Sequence, residues 1–271
     1  MEILSTKVNA VSVTYLSKQS GNSAATIVFI HGFPFNKTIW NEQLDSLPDG
    51  ISAIAYDIRG FGGSSSDHSF FSIDLFANDL IMLIDTLQLE NCVLCGISMG
   101  GYIALRAIEL SQKNVKGLIL CDTNCVADSN EGKMKRFNSI EQIVAGGKGD
   151  FTEGFIKNVF TEETLMNKPE TVQFLREVIM GTSDKTICST LLALASRTET
   201  CNSLLNINVP TLIIRGENDK LMSEDQTKQL AEGITQAEQV NISTSGHLPN
   251  LENPEDFNKA INTFLNKHFL S

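Results

Sequence analysis

No run of about 18 apolar residues occurs in the 271-residue chain, so no segment is long enough to cross a bilayer as a helix. The N-terminal stretch MEILSTKVNAVSVTYLSKQ lacks the basic, then apolar, then small-residue order of a secretory leader. A cytoplasmic protein is the expectation. Positive charge is scarce. Lys and Arg number 21 against 32 Asp and Glu, a formal net charge of −11. That balance argues against nucleic acid and anionic membranes as partners, and solubility is reason enough for it. Metal patterns are missing too. Of the six cysteines, at 92, 95, 121, 125, 188 and 201, only Cys92 and Cys95 form a C-x-x-C. They sit in NCVLCG, which reads as a buried strand, and no second pair or nearby His pair completes a zinc site. They are expected as free thiols acting as small hydrophobes. Neither a metal nor a cofactor is expected, and the absence of a G-x-G-x-x-G turn after the first apolar strand excludes a dinucleotide-binding enzyme.

What is present is an alternation. Short runs at 11–16, 26–32, 51–57, 92–96, 115–122, 209–219 and 237–243 read as strands, several of them apolar. Between them lie helical patterns, clearest over 71–89, where Ile73, Phe76, Leu80, Leu83, Ile84 and Leu87 share a face. Helices follow at about 99–112, after Ser223, and from about Pro254 to His268. Near-continuous apolar strands separated by helices predict an α/β fold, a mostly parallel central sheet with helices on both faces. The rhythm breaks after Asp122. Residues 124–205 show no convincing buried strand and four helix-like stretches, an insertion into a core made of 1–123 and 206–271.

The chemistry-bearing stretch is VLCGISMGGY, residues 93–102. Gly96-Ile97-Ser98-Met99-Gly100 fits G-x-S-x-G between an apolar strand and a helix. A serine perched on a strand-to-helix bend needs small neighbours, because the backbone there is strained and crowded. The helix behind it aims N–H groups at any negative charge that develops. A hydroxyl is a weak nucleophile and needs a base and an orienting acid. IIRGENDKLM places Asp219 just past a strand, and ISTSGHLPNLENP places His247 in a loop after the next. Asp122, ending GLILCD, is the other candidate acid. A structural role is expected for His31, Asp57 and Arg59 (the last two as an ion pair or turn), and solvent for His68 and His268.

With the order Ser, Asp, His, the chain resembles the α/β-hydrolase family over nearly its whole length. HGFPFNKTIW (31–40) resembles the family's oxyanion loop, with Trp40 where a tryptophan is frequent, and DIRGFGGSS (57–65) its D-x-R-G-x-G-x-S turn. The resemblance implies Ser98 as nucleophile, His247 as base, Asp219 as orienting acid, and backbone N–H groups of Phe33 and Met99 as oxyanion donors. It also implies that the insertion is a helical lid. Dehalogenases and epoxide hydrolases carry an aspartate where Ser98 stands, which sets both aside.

The expected activity is hydrolysis of a small carboxylic ester or lactone. Competing readings on the same fold are a receptor-like binding protein and a perhydrolase or C–C hydrolase. Phe35, Trp40, Phe137, Phe155, Phe160 and Met180 are the candidates for an apolar pocket. No Arg or Lys cluster stands out as a carboxylate clamp, which favours neutral or apolar acyl substrates. The sequence leaves the oligomeric state open, a homo-oligomer included.

Overall fold

The computed structural model describes residues 1–66 and 70–270, so His68 lies outside the described residues. Among them one eight-stranded sheet runs in the order β1-β2-β4-β3-β5-β6-β7-β8. Its strands are β1 (Glu2–Val8), β2 (Val11–Lys18), β3 (Ala25–Ile30), β4 (Ile51–Tyr56), β5 (Cys92–Ile97), β6 (Val115–Cys121), β7 (Thr211–Gly216) and β8 (Ala237–Ile242). The β1–β2 and β2–β4 pairs are antiparallel, and the rest are parallel. Strands β4, β5 and β7 are buried at every residue. Successive side chains point to opposite faces, so both faces are covered, as the apolar runs require. The expected α/β-hydrolase fold is present. Strand β1 was not foreseen. Its residues are exposed almost throughout, Ile3 at 71%, so it carries no burial pattern to read.

The covering helices are α1 (Asn41–Ser46), α2 (Ile73–Thr86) and α3 (Met99–Leu110), then α9 (Glu224–Gly233), α10 (Pro249–Glu252) and α11 (Pro254–Phe269). Helix α2 packs on α3, and α1 on α11. Between β6 and β7 run α4 (Asn130–Val144), α5 (Lys148–Val159), α6 (Glu162–Asn167), α7 (Pro169–Gly181) and α8 (Asp184–Ser196). Their starts are chemically marked. Ser129, Thr161 and Ser183 accept from the third backbone N–H of α4, α6 and α8, which satisfies a donor that the helix cannot. Cys92 and Cys95 are free and buried in β5, while Cys125 and Cys201 form a disulfide that the sequence did not reveal across 76 residues. That bond joins the two ends of the insertion, where Thr200 N also donates to Cys125 O at 2.8 Å. None of the described helices is long and apolar enough to cross a membrane.

The turn after β4 is held by two separate ion pairs, not by one between Asp57 and Arg59. Asp57 is fully buried and binds Lys37 through Nζ at 2.6 Å and through its backbone N at 2.8 Å. Arg59 binds Asp79 of α2 by a two-point fork at 2.7 and 2.8 Å. Asp79 also accepts from Asn9 at 2.7 Å, which ties β1 and β2 to the same carboxylate. His268 is likewise not in free solvent. It is half-buried, with Nε2 2.8 Å from Glu238. Removing one member of a buried pair strands the other charge, a cost of about 3–5 kcal/mol. Asp79→Ala is therefore expected to lose about that much unfolding free energy in urea titrations; a loss under about 1 kcal/mol would contradict this account of the turn.

Candidate active site

Four strand ends bring the site together, at the carboxyl edge where open parallel sheets bind ligands. Strand β5 ends at Ile97, and Ser98 follows at φ 54° and ψ −117°, ahead of α3. A non-glycine residue rarely adopts such a backbone. Two glycines make it feasible. A Cβ on Gly96 would overlap the carbonyl of Gly100, and one on Gly100 would overlap the carbonyl of Ile30 at the end of β3. The elbow is thus wedged against β3 with no room for a methyl group. The Ser98 side chain does not cap α3.

His247 lies in the loop after β8 and is buried. Its Nδ1 is 2.9 Å from Oδ2 of Asp219, just past β7. The other Asp219 oxygen accepts from Leu221 N at 2.7 Å. The loop carrying His247 is clamped from two sides. Its own N–H donates to Val159 O in α5, and Glu252 accepts from Gly246 N at 2.7 Å. The same buried carboxylate accepts from Thr161 N, Thr161 Oγ1 and Thr164 Oγ1. Glu252 therefore locks the histidine loop to α6, a role the sequence did not suggest. The Ser98 hydroxyl and Nε2 of His247 have no hydrogen-bond partner among the described residues, and both residues line one cavity.

The backbone N–H groups of Phe33 and Met99 are also without a partner among the described residues, though both residues are buried. Buried backbone donors are nearly always paired, so two free ones beside a cavity mark a place for an acceptor. His31 shapes the loop that carries one of them. Its Nδ1 lies 2.8 Å from Gly32 O and its Nε2 accepts from Ile58 N at 3.0 Å. Burial lowers its pKa to about 4, so the ring is neutral and its two nitrogens have fixed roles, Nδ1–H as donor and Nε2 as acceptor. This is the structural part expected for it.

The cavity holds about 460 Å³ and shows both what the sequence foresaw and what it did not. Of the expected pocket residues, Phe155 lines it, joined by Phe33, whose ring meets Phe155 edge-on at 5.9 Å. The others do not. Trp40 is buried between Phe29 and Phe257, and Phe35 and Phe160 are buried in the core. Phe137 lines a separate hollow with Phe71 and Leu192, and Met180 is exposed at the end of α7. Beside apolar residues such as Val126, Leu194 and Met222, the wall carries polar side chains that were not expected: Asn124, Asp128, Ser129, Arg136, Arg197 and Gln226. The sequence reading of no arginine cluster is corrected here, because α4 and α8 bring Arg136 and Arg197 together from 61 residues apart.

Comparison with known proteins adds similarity along the whole chain. Residues 25–254 match the profile of a family described as the alpha/beta hydrolase fold. The AB hydrolase superfamily protein YisY of Bacillus subtilis is 34% identical over 249 residues, which is 89% of this chain and 91% of that one. The 3-oxoadipate enol-lactonase 2 of Acinetobacter baylyi is 26% identical over 242 residues, 89% of this chain and 88% of that one. Among solved structures, a thermophilic esterase from Thermogutta terrifontis, in a malate-bound form, superimposes with a TM-score of 0.92 at 30% identity, covering 99% of this chain and 100% of its own.

Behind the histidine sits a second carboxyl group. Asp122 is fully buried at φ 43°, and its Oδ1 accepts from Gly216 N at 2.8 Å. Oxygens of Asp122 and Asp219 and a nitrogen of His247 lie within 4.8 Å of one another. The 2.9 Å between Nδ1 and Oδ2 is the distance of a direct hydrogen bond. Burial, then the neighbouring Asp219 charge, raises the Asp122 pKa well above the ordinary aspartate value. Burial pulls Asp219 the same way, but the His247 ring and hydrogen bonds outweigh it and its pKa is lowered. Asp219 is therefore the charged partner of the ring, and the raised pKa of Asp122 favours a neutral carboxyl behind it, its Oδ2 buried without a hydrogen-bond partner among the described residues. The signs follow. The raised group stabilises the fold fully below about pH 4, and that contribution is lost as pH rises, by up to about 1.4 kcal/mol per unit. The lowered group contributes above about pH 4 and loses its contribution as pH falls further. Asn suits a positive φ and stays neutral at every pH. Asp122→Asn should thus gain stability on wild type as pH rises from 5 to 8, by more than about 1 kcal/mol in chemical denaturation. A pH-independent difference would show that Asp122 is not held protonated.

Proposed function

The chain belongs to the α/β-hydrolase family, and from that premise we propose that it is a serine hydrolase cleaving a carboxylic ester or lactone through an acyl-enzyme on Ser98. The observation that carries this is the convergence on one cavity of an unpaired hydroxyl, an imidazole held at 2.9 Å by a buried carboxylate, and two unpaired N–H groups. His247 Nε2 takes the Ser98 proton as Oγ attacks the substrate carbonyl, and the bond between them closes when substrate fills the site. Asp219 keeps Nδ1 protonated and steadies the imidazolium. The oxyanion settles on the N–H groups of Phe33 and Met99. The tetrahedral adduct then collapses, the His247 proton passes to the leaving oxygen, and water activated by the same ring frees the acid. This route uses neither metal nor cofactor.

The esterase neighbour supports ester cleavage, and the enol-lactonase relative supports the lactone alternative. Residues 124–205 act as the lid, since α4 and α8 supply cavity wall and α5 and α6 hold the histidine loop. Against the expected cytoplasmic setting, the Cys125–Cys201 disulfide favours an oxidising one.

A fluorophosphonate probe separates catalysis from simple ligand binding. Wild-type protein should be labelled, and Ser98→Ala should lose both the label and at least about 10⁴-fold in kcat on 4-nitrophenyl esters. If wild type stays unlabelled under conditions that label a known serine hydrolase, the proposal is wrong.

A further inference from the structure

The same cavity wall holds a second cluster of charge, away from the reacting atoms. Asp128 follows β6, Arg136 lies in α4, and Arg197 follows α8. Arg136 Nε and Arg197 Nη1 each lie 2.5 Å from a different oxygen of the Asp128 carboxylate. Burial raises the Asp128 pKa, but the two guanidiniums outweigh it and hold the group below its ordinary value, so it is ionised. Two cations thus share one anion. Among the described residues, the other ionisable side chains lining the cavity are His247 and Tyr102, whose phenol burial keeps neutral by raising its pKa. Counting the imidazole as neutral, the wall carries a charge of +1 inside a chain of −11.

The two arginines differ in what they have left to give. Arg197 is fully engaged. It donates to Leu194 O at 3.2 Å and Val126 O at 2.9 Å, lies 4.2 Å over the Tyr102 ring, and its side chain is 5% exposed. Arg136 is not. Its Nη1 has no partner among the described residues, its Nη2 reaches Asp128 only at 3.5 Å, and its side chain is 25% exposed. A structural tie between these segments needs one cation for Asp128, and Arg197 supplies it. The outer edge of Arg136 is surplus to that tie. It is a planar pair of donors, the shape that carboxylates match.

Resting on the Ser98 acyl-transfer reading, we infer that the physiological substrate bears a free carboxylate in addition to its scissile ester or lactone, and that Arg136 binds it. Arg136 is a specificity-determining residue and takes no part in bond breaking. The chain's overall negative charge does not prevent this, because charges beyond about 8 Å are screened at physiological salt, whereas a direct guanidinium contact inside a cavity is not.

The test compares mono-(4-nitrophenyl) glutarate with 4-nitrophenyl 5-methylhexanoate, which replaces the carboxylate by a neutral group of the same shape. Wild type should favour the glutarate ester about tenfold or more in kcat/KM. Arg136→Gln should lower kcat/KM for the glutarate ester by about 10–100-fold, mostly through KM, and change the neutral ester less than about threefold. Arg136→Lys, which keeps the charge without the fork, should fall between. Equal kcat/KM for the two esters in wild type, or an equal fall on both in Arg136→Gln, overturns the inference. Should neither ester be cleaved and the fluorophosphonate fail to label, the Ser98 reading has failed, and calorimetry with glutarate still decides the anion site. Binding to wild type that is lost in Arg136→Gln supports it, and no binding to wild type overturns it.

Discussion

The structure turns on the wedge between the Ser98 elbow and the end of β3. The serine's backbone sits where side chains are rarely tolerated, and it stays there because Gly100 meets the Ile30 carbonyl with no atom to spare. The consequence is more than strain at one residue. Ile30 leads directly into His31, Gly32 and Phe33, so the contact that holds Ser98 also sets its distance from the loop that offers the Phe33 N–H. His31, neutral and bonded to both Gly32 and Ile58, fixes that loop from behind. Ser98 and the N–H groups of Phe33 and Met99 are therefore aligned by backbone packing, which does not relax as side chains do.

The histidine is positioned by a different principle. It stands on a loop, and a loop needs external restraint. Asp219 holds the ring, Val159 holds the main chain, and Glu252 joins the adjacent glycine to Thr161 and Thr164. Two of those three restraints come from the helical insertion or reach into it. The insertion that lines the cavity is thereby mechanically coupled to His247, and the disulfide at its ends keeps both attachment points together. Asp122 adds a restraint on charge, since burial and the Asp219 charge raise its pKa and disfavour a second negative charge there.

How much of this was legible in the sequence depended on distance along the chain. The elbow is five consecutive residues, so Ser98 and its glycines could be read directly. Asp219 and His247 could be placed because each follows a strand, β7 buried throughout and β8 only in part, and a parallel sheet puts strand ends on one edge. The cavity wall could not be read. Arg136, Asp128 and Arg197 meet only because α4 and α8 fold over the sheet edge, and each looks like a solvated charge in its own segment. Cys125 and Cys201 failed for the same reason. The aromatic candidates misled in the opposite direction. Trp40, Phe35 and Phe160 are as apolar as a pocket residue should be, and close packing uses the same residues to fill a core. Strand β1 was invisible because an exposed edge strand imposes no burial alternation.

The central claim is that a covalent bond forms at Ser98. It is tested most directly by quenching the protein in acid during turnover of a slowly hydrolysed ester and weighing it intact. The account predicts a species heavier by one acyl group, with the added mass on the proteolytic peptide that contains Ser98. Sustained turnover with no acylated protein under conditions that trap a known serine esterase, or acyl mass on a peptide lacking Ser98, would contradict it.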